Sequence, residues 1–305
     1  MIKRGYTEQE LLKFNEREPS ITDFSGKEIL LHLDSFCLGD TLCFSSLLSE
    51  FLEYHNPKKV YLTTFAPYLF DVIDSRVEII LVSNPTRTIE CDKMVNVGYD
   101  KNNLLHTING MFYAAKDTMK LPLHSMPGKP PVRKKIIDRI NNKIVIAPES
   151  LKKIAKWDYF GSYGWQQVVD YLNVQGFDVY NISYENTMNL SGVKSFNGFD
   201  DINVALDHVV SSRLFIGLSS GLSWLAWSYN IPVVMISGFT KEVNEFPCYR
   251  VLNPVGCSGC FNIFQNIQSH CPLFVNTIRE NECHKKITPE MVIKKIDLAL
   301  LENQI

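Results

Sequence analysis

Long uninterrupted apolar runs are missing from this 305-residue sequence. The most apolar stretch, Leu214 to Ile236, is broken by Ser219-Ser220-Gly221 and again by Asn230-Ile231-Pro232. A bilayer-spanning helix needs about 20 consecutive apolar residues, so two short buried strands flanking a helix are expected there and no membrane span. Nor does one sign of charge dominate. Lys and Arg total 31 against 33 Asp and Glu, a formal net charge of -2. That balance gives no broad attraction for nucleic acid or acidic membranes, although a local basic patch is compatible with it. The opening residues MIKRGYTEQELLKF are polar and of mixed charge, without the apolar core of a secretory signal. The expected location is the cytoplasm.

What is present fits a globular protein. Hydrophobic residues make up 45% and charged residues 21%. The length suits one large domain or two ordinary ones, since domains cluster near roughly 100–150 residues. The eight cysteines fall into two sets. Cys37, Cys43, Cys91 and Cys248 are scattered, whereas Cys257, Cys260, Cys271 and Cys283 share one C-terminal stretch. In a cytoplasmic chain such clustering points to metal rather than disulfides.

Residues 1–24 read as a short polar helix or arm. KEILLHL (Lys27 to Leu33) is β-rich, and the periodic apolar positions Leu42, Phe44, Leu47, Leu48, Phe51 and Leu52 predict one helix over Thr41 to His55, capped by Asp40 or Thr41. KKVYLTTF follows as a strand, completing a βαβ unit and implying a parallel sheet. Further strands are expected near Ile80 and Val95, and a helix over Leu104 to Met119. The proline-dense segment Leu121 to Val132 disfavours helix and central strand and reads as a linker; residues 132–142 read as a short helix or an extended tether. From Lys143 a βαβαβαβ series begins again. The expected architecture is α/β: two doubly wound, Rossmann-like domains, 25–130 and 143–305, joined by a linker at 131–142 and facing a cleft. Ligand is expected at the carboxyl ends of the strands.

Five groups of residues carry candidate chemistry. Leu38-Gly39-Asp40-Thr41 follows the first strand; Asp40 is either a plain helix cap or a general base for an acceptor hydroxyl. Gly217-Leu218-Ser219-Ser220-Gly221, with Leu222 in the same turn, joins a strand to a helix and offers backbone N–H groups, hydroxyls and a positive dipole end to an anion. It is neither a Walker loop nor a GxGxxG fingerprint, and an ordinary Ser-capped helix explains it equally. Lys156, before Trp157, suits neutralising a leaving diphosphate; a solvated lysine beside Lys152 and Lys153 is the plain alternative. Tyr184-Glu185 ends a strand where an acid can hold a ribose, or is a surface loop. The CxxC pair Cys257 and Cys260, with Cys271 and Cys283, supplies four thiolates suited to a structural zinc or iron ion, His270 and His284 being alternative ligands.

The run GLSSGLSWLAWSYNIPVVMISGFT, the continuation through Glu245-Phe246 and Tyr249-Arg250-Val251, and the CSGC…C…C cluster closely resemble the bacterial autotransporter heptosyltransferases. The AKW element at Lys156 and the LGDT element at Asp40 resemble them too. The resemblance implies a GT-B fold related to the lipopolysaccharide heptosyltransferases. It implies ADP-heptose as donor and hydroxyl side chains of autotransporter proteins as acceptor. Asp40 then matches the base and Lys156 the diphosphate contact. Ser219, Ser220 and Gly221 match the nucleotide turn, and the four cysteines match an iron finger that helps organise a homo-oligomer. Family members carry a further β-rich domain before the first strand, where this sequence has the segment 1–24.

The resulting expectation is an inverting sugar transfer from a nucleoside diphosphate donor. Asp40 and Lys156 are its catalytic residues. Gly39, Thr41, Tyr184, Glu185, Ser219, Ser220, Gly221, Leu222, Gly238, Phe239 and Thr240 are its substrate contacts, Glu185 and the last three holding the nucleoside. No catalytic metal is expected. Two alternatives stay open: the same chemistry on a glycan or on phage DNA with another sugar, and a metal-stapled nucleotide-binding scaffold without turnover.

Overall fold

Alternating burial along Glu28–Leu33 (β1) places Ile29, Leu31 and Leu33 in an apolar interior. β1 pairs in parallel with Lys59–Thr64 (β2) and Lys93–Val97 (β4), and β2 pairs with Val77–Leu81 (β3). The computed structural model describes residues 24–33, 35–71, 74–82, 89–100, 103–123, 128–135, 137–149, 157, 159–183, 188–195, 202–253, 255–261 and 271–303. The chain divides into two compact units, Met1–Arg133 and Lys134–Ile305. In the first, the strand order is β3-β2-β1-β4. The chain lays β2 and β3 to one side of β1 and then crosses to β4 on the other.

The single helix predicted over Thr41 to His55 is two helices, Leu38–Ser45 (α1) and Leu48–His55 (α2). Serine chemistry accounts for the break. Ser45 Oγ donates to the Leu42 carbonyl (3.2 Å) and Ser46 Oγ to that of Cys43 (2.6 Å), while the Leu47 N–H takes the i−3 bond to Phe44 (3.3 Å). The helix also starts earlier than predicted. Cys37 is its cap residue, without a side-chain cap bond, so neither Asp40 nor Thr41 caps it. α2 ends on Asn56 in the left-handed region. Phe24, assigned to the arm, is a core residue whose ring packs on Phe51 and His55 at 5.5 and 4.7 Å.

The predicted helix Leu104–Met119 (α3) forms, but Gly110 interrupts it at φ 86° and ψ −169°, a conformation that needs glycine. The end of the proline-dense segment, residues 130–133, docks as extended chain against residues 69–71. Val132 bridges Phe70, and the Asp71 and Arg133 N–H groups bond Pro131 and Leu69 carbonyls at 3.0 and 2.8 Å. Among the described residues of 132–142 there is no helix.

The second unit runs Lys143–Ala147 (β5), Tyr163–Val174 (α4), Asp178–Asn181 (β6), Lys194–Ser195 (β7), Ile202–Val210 (α5), Leu214–Leu218 (β8), Gly221–Ser228 (α6), Val233–Ile236 (β9), Tyr249–Val251 (β10), Glu282–Lys285 (α7) and Pro289–Glu302 (α8). All described pairings are parallel, in the order β10-β9-β8-β5-β6-β7. β5, β8 and β9 are buried at every position, as parallel strands covered on both faces must be. α8, capped by Thr288 and begun by Pro289, closes one side of the core with Val292, Ile296 and Ala299. The apolar stretch Leu214 to Ile236 is strand, helix and strand, and no helix among the described residues is long and apolar enough to cross a membrane.

Candidate functional site

Each sheet reverses its strand order once, and in parallel α/β sheets the crevice at such a reversal is where ligands bind. In the first unit the reversal lies between β1 and β4, and the chain leaving β1 leads directly into α1. Asp40 is the third residue of α1, in its first turn, where the helix dipole favours a carboxylate. Ser35 Oγ donates to Asp40 Oδ2 at 2.8 Å and itself accepts the Cys37 N–H at 3.1 Å, so the loop fixes the acid's orientation. The carboxylate is partly exposed, whereas Gly39 and Thr41 are buried. Thr41 Oγ1 has no partner among the described residues. Burial, and then the Asp40 charge, push the Cys43 thiol well above its ordinary range, so that cysteine is inert.

In the second unit the reversal lies between β5 and β8. Ser219, Ser220, Gly221 and Leu222 leave β8 there and are partly exposed, although the strand before and the helix after are buried. Ser220 is the cap residue of α6 but makes no cap bond, and its Oγ has no partner among the described residues. The first free N–H groups of α6 and an uncommitted hydroxyl therefore share one turn, an anion-binding arrangement. Ser223 Oγ is spent on the Leu218 carbonyl (2.6 Å), and Gly217 sits so close to Phe215 that a Cβ would come within 2.7 Å. Lys156 follows β5, but it and Tyr184-Glu185 lie outside the described residues. Trp157, beside Lys156, is buried against Trp165 and donates its Nε1–H to the Ile287 carbonyl at 2.9 Å.

Gly238, Phe239 and Thr240 follow β9, and the side chains of Phe239 and Thr240 are engaged by protein. The Thr240 hydroxyl joins a buried network with Ser237, Glu245 and Arg250. Glu245 accepts from Thr240, from Ser237 (3.1 Å) and from Arg250, whose Nη2 also reaches the Thr240 carbonyl at 3.0 Å. Phe239 packs with Cys257, Cys260, Phe261 and Cys283. Ser35, Ser237, Glu245 and Arg250 were given no role at the site by sequence reasoning, which named only Thr240 of this network. Glu245 and Arg250 lie in the family-like run, but only the fold shows that they pair.

The four C-terminal cysteines line one cavity of about 20 Å³, together with Ser258, Pro272, Leu273 and Asn281. That volume suits a single small occupant. Burial, then the neighbouring thiolates, push Cys283 to about 12; burial, then Cys271, pushes Cys260 to about 11. The Phe274 N–H donates to Cys271 Sγ at 3.4 Å, the Cys257 N–H to Glu282 Oε1 at 3.3 Å, and Asn281 Oδ1 is buried without a partner among the described residues. No group of three His, Cys, Asp or Glu among the described residues is drawn together tightly enough to be a preformed metal centre. The shared cavity and the all-thiol donor set nevertheless fit one soft-ligand ion. His270 lies outside the described residues, and His284 is buried beside Cys283.

Two parallel α/β sheets, each with a loop of candidate chemistry at its reversal, define a two-unit doubly wound α/β fold, and comparison with known proteins agrees. No family model matches the chain. The chain is similar to autotransporter heptosyltransferase Aah of Escherichia coli, 34% identical over 163 residues, 49% of this chain and 41% of that protein. It is also similar to the inactive autotransporter heptosyltransferase BimC of Burkholderia thailandensis, 31% identical over 169 residues, 50% of this chain and 39% of that one. The matched stretch thus spans about two fifths of these relatives' length. Among solved structures, the dodecameric iron-containing heptosyltransferase TibC of enterotoxigenic E. coli, in complex with ADP-D-beta-D-heptose, superposes with a TM-score of 0.79 at 25% identity over 93% of this chain and 78% of TibC. The fold is that of these glycosyltransferases.

Proposed function

We propose that the chain is a glycosyltransferase of the GT-B kind that moves a sugar from a nucleoside diphosphate donor to an acceptor hydroxyl with inversion. ADP-heptose is the first donor to consider, and a protein hydroxyl the first acceptor. The observation that carries this reading is positional: Asp40 and the Ser219-Ser220-Gly221 turn each fall at the strand-order reversal of their own sheet. The acceptor oxygen attacks the anomeric carbon and its proton passes to Asp40. The bond from that carbon to the phosphate oxygen breaks, and the negative charge on the departing diphosphate meets the N–H groups of Gly221 and Leu222, the Ser220 hydroxyl and Lys156. Glu185 and the Gly238–Thr240 segment hold the nucleoside, the latter through backbone, since the Phe239 and Thr240 side chains are engaged.

Cys257, Cys260, Cys271 and Cys283 would hold iron or zinc in this scheme, and the ion would supply a structural cross-link. The proposed setting is the cytoplasm, in a homo-oligomer, as the dodecameric TibC suggests. Mass spectrometry of candidate acceptor proteins and glycans incubated with ADP-heptose tests the reading. A mass gain of one heptose supports it; donor that is neither bound nor consumed counts against it.

Similarity to a relative named inactive favours one second reading, a nucleotide-binding scaffold without turnover. Tight ADP binding with neither hydrolysis nor transfer over hours distinguishes it.

A further inference from the structure

The segment 237–240 is a shared wall. β8 and β9 are neighbours in register at Leu218 and Ile236, so this segment leaves the sheet beside the Ser219-Ser220-Gly221 turn, one strand spacing of about 4.8 Å away. One side of it is held by the buried Ser237–Thr240–Glu245–Arg250 network. Its other side is built onto the thiol cavity. The Gly238 carbonyl accepts the Gly259 N–H at 3.3 Å, and the Phe239 carbonyl accepts the Phe261 N–H at 2.9 Å, so both bonds come from the CxxC knuckle or its end. A Cβ on Gly238 would meet the Cys283 carbonyl oxygen at 2.5 Å and carbon at 2.8 Å, which leaves backbone against backbone. The Phe239 ring packs in one apolar cluster with Cys257, Cys260 and Cys283, behind the cavity those thiols line, and stands edge-on to Phe261 at 5.4 Å.

We infer that the ligation state of the four thiols positions the Gly238–Thr240 segment and, through it, the adjoining donor turn. The inference rests on the donor site proposed above and adds what controls it. Four thiolates sharing one ion would lock the Cys257–Cys260 knuckle to Cys283, and Phe239 packs in the same cluster as both. Without the shared ion, the segment is joined to the thiol cluster by packing and two backbone bonds alone among the described residues. Phe239, Gly238, Glu245 and Arg250 are positioning residues in this scheme.

The test uses the full chain, loaded anaerobically with ferrous iron or with zinc and compared with a sample stripped by chelator. Amide hydrogen exchange over 237–241 and the affinity for ADP are both read. Stripping should raise exchange in that segment and weaken ADP binding at least tenfold. Gly238→Ala, or Phe239→Leu where the former folds poorly, should retain the ion, show the same loss of ADP affinity, and lose little more on stripping. Exchange that ignores stripping, an unchanged ADP affinity in the stripped chain, or a chain that takes up neither ion overturns the inference. A loaded chain that binds no ADP while its 237–241 exchange still responds to the ion overturns the donor reading and supports the positioning.

Discussion

Glu245 and Arg250 form a pair whose replacement gives a sharp quantitative test. Both side chains are nearly removed from solvent, at 1% and 10% exposure. Arg250→Met leaves the Glu245 carboxylate buried with, among the described residues, only the Ser237 and Thr240 hydroxyls as donors, and an uncompensated buried charge costs about 3–5 kcal/mol. Glu245→Leu strands the guanidinium at a similar cost of about 3–5 kcal/mol. The double replacement removes both charges and is close to neutral by itself. It still forfeits the Arg250 bonds to Ser237 and to the Thr240 carbonyl, about 1 kcal/mol each. The double variant should therefore lose about 1–3 kcal/mol where additivity demands about 6–10, a coupling of at least about 3 kcal/mol. All four tryptophans, Trp157, Trp165, Trp224 and Trp227, lie in the second unit. Urea unfolding followed by tryptophan fluorescence thus reads that unit alone. Costs that simply add would refute the buried-pair reasoning.

Three further outcomes follow from particular contacts. Ser220→Ala should lower stability by less than about 0.5 kcal/mol, because the usual N-cap loss of about 1 kcal/mol needs a cap bond that Ser220 does not make; ADP titration should show weaker binding. Trp157→Phe removes the donor to the Ile287 carbonyl and should cost about 1–3 kcal/mol in the same fluorescence-monitored urea titration, with the signal of the remaining tryptophans. His55 is packed against both Phe24 and Phe51, and burial lowers its pKa below the ordinary 6.5. The unfolded chain therefore binds the proton first, so stability present above about pH 6.5 falls as pH drops below it. His55→Gln should flatten that slope in calorimetric scans of the first unit between pH 7 and 5.

Much of the fold was legible because parallel strands write themselves as short apolar runs. β1, β2, β5, β8 and β9 fall where composition placed them, and the interrupted apolar run Leu214 to Ile236 is two strands and a helix. What stayed hidden depends on local competition or distant partners. Apolar periodicity runs unbroken through Ser45-Ser46, and the break comes from hydroxyls bonding their own helix's carbonyls. Gly110 sits in a helical pattern, and a lone glycine there does not declare a φ of 86°. β10 is three residues long, too short to show a period, and α8 was not anticipated. At the site, the Ser-rich turn and the cysteine cluster were visible as motifs. Ser35 as the partner of Asp40, and Glu245 with Arg250 beneath Thr240, appear only when the chain is folded.

The central claim is that Asp40 takes the proton from the acceptor while donor binding belongs to the other unit. Asp40→Asn keeps the shape and can still pair with Ser35, but cannot accept the proton. Its transfer of heptose from ADP-heptose, followed by acceptor mass, should fall at least about 10²-fold, the contribution typical of a general base, while ADP affinity stays within about threefold. An Asp40→Asn variant that transfers at the wild-type rate would contradict the account.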